Sequence, residues 1–196
     1  PSWICFTDKE LRIIGELANK YNIVILEDLA YFAMDFRKDY SQPGQPPYQP
    51  TVAHYTDNYI LLLSSSKIFS YAGQRIGMMV VSDKIFETRS KDLLRYYTTD
   101  IFGRALIYGT LYPLSSGTAH SPQFALAAML KATNDGTYNF VKEIREYGEK
   151  ARIMKKLFVD NGFRIVYDKD EDQPISDGFY FTIAYPGMDG NQLLEE

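Results

Sequence analysis

The amino-acid sequence predicts an α/β fold, and three observations lead to that prediction. A helical pattern over residues 8–20 comes directly before an apolar, β-branched run at 22–26. Two further short apolar runs, at 59–63 and 78–81, are bounded by serine and glycine, which is typical of buried strands. Helix and buried strand in alternation indicate a mainly parallel sheet that is covered by helices.

Composition excludes several classes of protein. Of the 196 residues, 45% are hydrophobic and 23% are charged, as in ordinary globular domains. The net charge of -4 argues against nucleic acid as the main partner. No apolar run approaches the roughly 20 residues that span a membrane, so no membrane partner is expected. The single cysteine, Cys5, cannot form an internal disulfide, and we therefore expect a reducing compartment, the cytoplasm.

The first helix and strand lead to the first candidate site. Thr7 and Glu10 have capping-box spacing and predict where the helix begins. The strand at 22–26 runs into Glu-Asp-Leu-Ala-Tyr, so Asp28 and Tyr31 follow the carboxyl end of a predicted strand, where α/β sheets bind ligands. On these residues alone, a turn-capping Asp28 and a core Tyr31 remain the simpler interpretation.

The second candidate site lies between the runs at 59–63 and 78–81. It reads Ser-Ser-Ser-Lys at positions 64–67 and Gly-Gln-Arg-Ile-Gly at 73–77. Ser64, Ser66 and Arg75 supply donors that suit a phosphate group. A lysine that is hemmed in between core strands loses solvation, which favours the neutral, nucleophilic amine of Lys67. The pattern therefore suggests a phosphorylated carbonyl compound held as an imine, and a solvated loop is the alternative.

The remaining segments are read more coarsely. His54 and His120 have no partner at metal-ligand spacing, so no metal is predicted. The predicted helices run from Asp83 through Tyr97, from Pro122 to a stop at 134–136, and over 137–160. A Pro-rich loop is predicted at 41–50 and a turn-rich break at 112–118. Two further strands are predicted at 163–167 and 179–184, on either side of a charged turn at 168–172.

With both sites in view, the chain resembles the class I/II aminotransferases, which are fold-type-I enzymes that use pyridoxal 5′-phosphate (PLP). The carrying residues are Asp-Leu-Ala-Tyr at 28–31, Ser-Ser-Ser-Lys at 64–67 and Gly-Gln-Arg-Ile-Gly at 73–77, in the family's order and each at a strand end. Ser65 and Tyr71 depart from the small apolar residues that the family tends to place there. The resemblance implies the later part of a large cofactor-binding domain at 1–136, then an interdomain helix and part of an α+β small domain at 137–196.

The resemblance also implies a role for each matching residue. Lys67 looks like the imine-forming lysine and the base that moves the substrate proton. Asp28 would pair with the pyridine nitrogen, and Tyr31 would donate to the phenolic oxygen of the cofactor. Ala30 would pack on the ring face. The phosphate would be held by Ser64, Ser66 and Arg75.

The function implied is transfer of an amino group between an amino acid and a 2-oxo acid by a homodimer. Two alternatives stay open: a PLP-dependent carbon–sulfur β-lyase or related synthase of the same fold, and a non-catalytic, aminotransferase-like sensing domain. A lyase would form pyruvate and ammonia without an oxo acid. Other parts of the family's site have no counterpart in the sequence, the arginine for the substrate carboxylate among them. We therefore expect the 196-residue chain by itself to be inactive.

Overall fold

The computed structural model of the chain describes residues 5–39, 42–170, 172–174 and 180–195. Its strands are β1 (Ile25–Leu29), β2 (Tyr59–Ser64), β3 (Gly77–Val81), β4 (Arg164–Ile165), β5 (Lys169–Asp170), β6 (Gln173–Pro174) and β7 (Ile183–Ala184). Its α-helices are α1 (Asp8–Tyr21), α2 (Ser65–Ile68), α3 (Asp83–Phe86), α4 (Phe102–Arg104), α5 (Tyr112–Ser115), α6 (His120–Asn134), α7 (Phe140–Asp160) and α8 (Gly190–Glu195). Among the described residues, no helix is long and apolar enough to cross a membrane.

The chain divides into two compact units, and the first comprises Phe6–Phe32 and Pro50–Tyr138. Its sheet has the order β1-β2-β3. β1 and β2 are parallel, as predicted, whereas β3 is antiparallel to β2. The chain reverses between β2 and β3 through two left-handed positions, Ser70 (φ 50°) and Arg75 (φ 53°), and so returns alongside β2. Both predicted sites lie in this unit.

One face of this sheet carries the core. The predicted capping box of α1 is confirmed, since the Thr7 side chain accepts from the Glu10 backbone and the Glu10 side chain accepts from Thr7. The core cluster consists of Leu11 from α1, Leu29 from β1, Leu61 from β2, and Val52, which lies before β2. Burial alternates along β1, with Leu29 at 8% exposure and Leu26 at 62%. The sheet therefore has a packed face toward α1 and a second face on which Leu26 is exposed.

The predicted strand at 22–26 is displaced in the structure. Asn22 takes the left-handed conformation (φ 50°) and caps α1, so it does not begin a strand. Ile23 and Val24 are about half exposed, at 50% and 48%. β1 begins only at Ile25, opposite the first residue of β2, because an extended run becomes a strand only where a neighbour accepts its hydrogen bonds.

Two other expectations for this unit are wrong in part. The helix predicted from Asp83 through Tyr97 is interrupted, because Arg89 forms a β-bridge with Ile101 and draws the chain away from helical geometry after α3. The break predicted at 112–118 begins late, since a π-helical segment (Ala105–Leu111) joins α4 to α5 and carries the helix to Ser115. Pro113 lies at the start of α5, directly after the π-helical segment.

The second unit comprises Pro1–Cys5, Ala33–Gln49 and Asn139–Glu196, insofar as these are described. In it, the aromatic ring of Phe36 occupies the space that a side chain at Gly148 of α7 would need. β4 pairs with β7, and the segment predicted as a charged turn contributes β5, which pairs with β6. Positions 41, 171 and 179 of the predicted loop, turn and partner strand lie outside the described residues. The domain division at 136/137 stays a prediction.

Candidate functional site

Asp28 and Tyr31 lie at the carboxyl end of β1. Asp28 is exposed and lies on the face of β1 opposite to the buried Leu29. Its Oδ1 accepts a hydrogen bond from the Ala30 backbone nitrogen at 3.0 Å, which fixes the turn after the strand. This bond engages one carboxylate oxygen, and Oδ2 remains available to a ligand. The turn-capping role and a binding role are therefore compatible at Asp28.

Lys67 lies in the short helix that follows the neighbouring strand. Ser64 caps α2, and its Oγ accepts from the Ser66 backbone nitrogen at 3.2 Å. The serine hydroxyl keeps its own proton for a further acceptor. Lys67 Nζ lies 5.1 Å from the centroid of the Tyr31 ring, within the range of a cation–π contact. The two motifs thus meet because β1 and β2 are parallel and end at the same edge.

Arg75 occupies the turn that leads into β3. It has left-handed backbone geometry, and its guanidinium Nη1 donates to the Ala72 carbonyl at 2.9 Å. The side chain is exposed, and no described carboxylate forms an ion pair with it. Because a guanidinium has five N–H donors, most of them stay free for an anion. No contact among the described residues joins Arg75 to Lys67 or Tyr31 directly.

Glu27 shows how the strand separates two adjacent carboxylates. It points toward the core side, where one carboxylate oxygen accepts from the Val52 backbone nitrogen at 3.0 Å. Burial raises the pKa of Glu27, while this hydrogen bond and the nearby His54 lower it to a smaller extent. Glu27 therefore has a structural role behind the sheet, whereas Asp28 faces the other side.

Sequence reasoning missed the contribution of Ser65. Its side chain is fully buried, and its hydroxyl donates to the backbone carbonyl of Ile76, the residue after Arg75. One signal for it is present in the sequence, since position 65 carries a hydroxyl where the family that the chain resembles tends to have a small apolar side chain. A buried hydroxyl needs a partner, and here the partner lies on the other candidate turn.

Two cavities are formed by described residues, and both lie away from the predicted site residues. A cavity of about 700 Å³ is lined by Tyr97, Arg104 and Tyr108 among others, and one of about 310 Å³ by Phe36 and Arg152 among others. None of the predicted site residues lines either of them. Within the described ranges, no group of three His, Cys, Asp or Glu side chains could hold a metal ion.

The residues at this edge fit PLP on the basis of their donor and acceptor types. Three groups lie at the ends of neighbouring strands. They are the half-buried amine of Lys67, the exposed carboxylate of Asp28 with its free oxygen, and the serine hydroxyls at the start of α2. These groups match an aldehyde, a protonated ring nitrogen and a phosphate. Arg75 adds an unpaired cation on the connection to β3, which suits the same phosphate.

Comparison with known proteins gives the same result. Residues 4–168 match the family described as aminotransferase class I and II. A "probable aspartate aminotransferase" of Methanocaldococcus jannaschii is 26% identical over 76% of this chain and 43% of the relative. The chain therefore spans less than half the length of this curated relative.

Solved structures show the fold. The aromatic aminotransferase of Pyrococcus horikoshii has a TM-score of 0.60 at 17% identity, over 92% of this chain and 40% of that one. A PLP-bound protein of Clostridium difficile that is assigned to the aminotransferases has a TM-score of 0.60 at 15% identity, over 100% of this chain and 44% of that one. The fold-type-I α/β architecture expected from the motifs is thus confirmed. By its sequence match, the chain belongs to the class I and II aminotransferase family.

Proposed function

We propose that the protein that carries this chain is a PLP-dependent aminotransferase, which moves an amino group between an amino acid and a 2-oxo acid. The observation that carries the proposal is the meeting of Lys67 with Tyr31, 5.1 Å from amine to ring centroid, at the shared end of two parallel strands. Asp28 lies three residues before Tyr31 with an exposed carboxylate. Family membership supports this choice of chemistry.

Each residue has a definite task in holding the cofactor. When bound, PLP supplies an electron-accepting ring in conjugation with the substrate. Lys67 would hold its aldehyde carbon through Nζ. Asp28 would accept a hydrogen bond from the ring nitrogen and keep that nitrogen protonated, since a nearby carboxylate favours the cationic form. Tyr31 would donate its hydroxyl to the phenolic oxygen, and the small side chain of Ala30 would leave room for the ring.

The phosphate would be held at the opposite end by Ser64, Ser66 and Arg75. The hydroxyls donate single hydrogen bonds, and the guanidinium donates in a fork that matches phosphate oxygens. Once the amino group of the substrate has replaced Lys67 at the aldehyde carbon, the amine of Lys67 would be free to remove the proton from the substrate Cα as a general base. The reactive amine and the phosphate donors come from the single connection between β2 and β3, so both are set by one piece of backbone.

Three further parts of the proposal concern assembly and location. A homodimer is supported by large apolar side chains on the helical stretch at 102–115, where Tyr108 is 72%, Tyr112 62% and Leu114 82% exposed. The large-domain and small-domain division at 136/137 is supported by the two compact units, because one unit ends at Tyr138 and residues 139–196 belong to the other. Cytoplasmic location is supported by the single cysteine.

Activity assays on the protein that carries this chain test the proposal. We expect transfer of the amino group only when a 2-oxo acid is present. Lys67→Ala should abolish transfer, and Asp28→Asn should lower it by at least about 100-fold, because the ring nitrogen loses its carboxylate. The exposed Asp57→Asn is the matched control and should leave the rate unchanged. Pyruvate and ammonia formed without any oxo acid would instead show a β-lyase, and full activity of Lys67→Ala would refute the assignment.

A further inference from the structure

The residue that connects the two halves of the proposed site is Ser65. We call residues 64–68 the lysine turn and residues 72–76 the arginine turn. Ser65 is 0% exposed and lies two residues before Lys67. Its hydroxyl donates to the carbonyl of Ile76, the residue after Arg75. A single buried hydrogen bond therefore joins the backbone beside the amine to the backbone beside the guanidinium.

Ser65 also organises the lysine turn through its own backbone. Its carbonyl accepts from the backbone nitrogens of Phe69 and Tyr71, at 3.2 Å and 3.3 Å. Ser65 thus contacts the start of the lysine turn, the connection and the arginine turn at once. An alanine or glycine at this position would keep the carbonyl contacts but lose the link to Ile76.

The arginine turn needs such a link. Arg75 has φ 53°, a conformation that costs a side-chain-bearing residue about 1–2 kcal/mol and persists only where surrounding contacts hold it. Its side chain is exposed and cannot be fixed by packing. The contacts that hold the turn include the Ala72 carbonyl, which accepts from the Arg75 backbone at 3.3 Å and from its guanidinium at 2.9 Å, and the Ser65 hydroxyl, which donates to the carbonyl of the next residue.

We propose that Ser65 is a positioning residue, which sets the distance between the amine of Lys67 and the guanidinium of Arg75. This inference rests on the proposed function and assigns a role to a residue outside the PLP-contacting set. PLP would be held at two points, by Lys67 at its aldehyde and by Arg75 at its phosphate. A change in the spacing of those points weakens the phosphate contact and leaves the reactivity of the amine intact.

Pyridoxal, which lacks the phosphate, separates this role from a merely structural one. In Ser65→Ala, we expect the affinity of the full chain for PLP to fall about tenfold, because one charge-assisted contact is weakened. The affinity for pyridoxal should change less than twofold. Both affinities are measured by absorbance titration, and borohydride reduction followed by peptide mapping shows whether the bound aldehyde is on Lys67.

Ser82→Ala is the matched control. Ser82 is also buried and also donates to a backbone carbonyl, that of Asp57; unlike Ser65, it is in addition the N-cap of a short helix, α3. It should lose similar stability in thermal unfolding but keep both affinities. If Ser65→Ala does not fold, Ser65→Cys retains the bulk and a weak donor and should show a smaller loss in the same direction.

The outcomes are distinct. Equal losses for PLP and pyridoxal, or equal effects of Ser65→Ala and Ser82→Ala, would show that Ser65 is structural only and would overturn the inference. A wild-type protein that carries this chain and takes no label on Lys67 would refute the proposed function, and the inference with it. Label on Lys67 with an unchanged PLP affinity in Ser65→Ala would refute the inference alone.

Discussion

The two glycines of the 73–77 motif should respond in opposite ways to alanine. A Cβ at Gly77 would lie 2.8 Å from the carbonyl oxygen of Leu63 on the paired strand, whereas a Cβ at Gly73 would meet nothing within 4 Å. Gly77 lies opposite Ser64 in the β2–β3 register. Neither glycine has positive φ, so conformational strain does not enter the comparison.

The size of the difference follows from these distances. Ordinary contacts of a Cβ begin at about 3.4 Å, so the two strands would have to separate by roughly 0.6 Å at Gly77. The obstacle is backbone and cannot rotate away. Overpacking of this kind costs about 1–3 kcal/mol, and loss of chain entropy in the unfolded state returns only about 0.4–1 kcal/mol. We expect Gly77→Ala to be destabilised by about 1–2 kcal/mol, and Gly73→Ala to be unchanged or slightly stabilised.

Urea unfolding of the full chain, followed by circular dichroism, measures both variants against the wild type. Since Gly77 pairs with Ser64, the strand separation should also reach the start of the lysine turn and weaken PLP binding in Gly77→Ala alone. Equal stability of the two variants would refute the reasoning. So would a Gly73→Ala variant that loses more stability than Gly77→Ala.

Two predictions concern charged groups. The pKa of Glu27 is raised from 4.5 by burial, so the stability that its protonated form contributes is present below that value and is lost as the pH rises through the raised pKa. Glu27→Gln keeps an acceptor for the Val52 backbone nitrogen but cannot ionise. The decrease in the free energy of unfolding that the wild type shows as the pH rises above 4.5 should therefore be smaller in the variant. The same pH profile in both proteins would contradict this. Arg37→Met should cost about 3 kcal/mol, because the buried Asp35 loses its ion pair and keeps, among the described residues, only the hydrogen bond from the backbone nitrogen of residue 37. The exposed ion pair of Arg145 is its control, and Arg145→Met should cost less than about 1 kcal/mol in the same denaturation assay.

Local signals in the sequence predicted a large part of the fold. The capping box depends only on Thr7 and Glu10, which are three positions apart, and the structure forms it as predicted. The parallel pairing of the first two strands also followed from their apolar runs. Periodicity failed where partners decide the conformation. Val24 belongs to an apolar run but has no strand neighbour, and the bridge between Arg89 and Ile101 joins residues whose pairing no local pattern encodes.

Some parts of the candidate site were likewise predicted from local motifs, whereas others depend on packing. The motifs named Asp28, Tyr31 and Lys67, and the family to which the motifs pointed is confirmed. The contact between Ser65 and Ile76 and the close approach of Gly77 to Leu63 depend on how two strands and a turn pack together. Spacing along the chain does not contain that information. It becomes visible only once the backbone of β3 lies beside β2.

The most direct test of the account is chemical. The protein that carries this chain is mixed with PLP, reduced with borohydride and digested, and the added mass is assigned by peptide. We predict that the label is confined to Lys67, because that amine lies beside Tyr31 at the shared end of β1 and β2. Label that is scattered over other lysines, or absent from a chain that circular dichroism shows to be folded, would contradict the central claim that this edge of the sheet holds PLP.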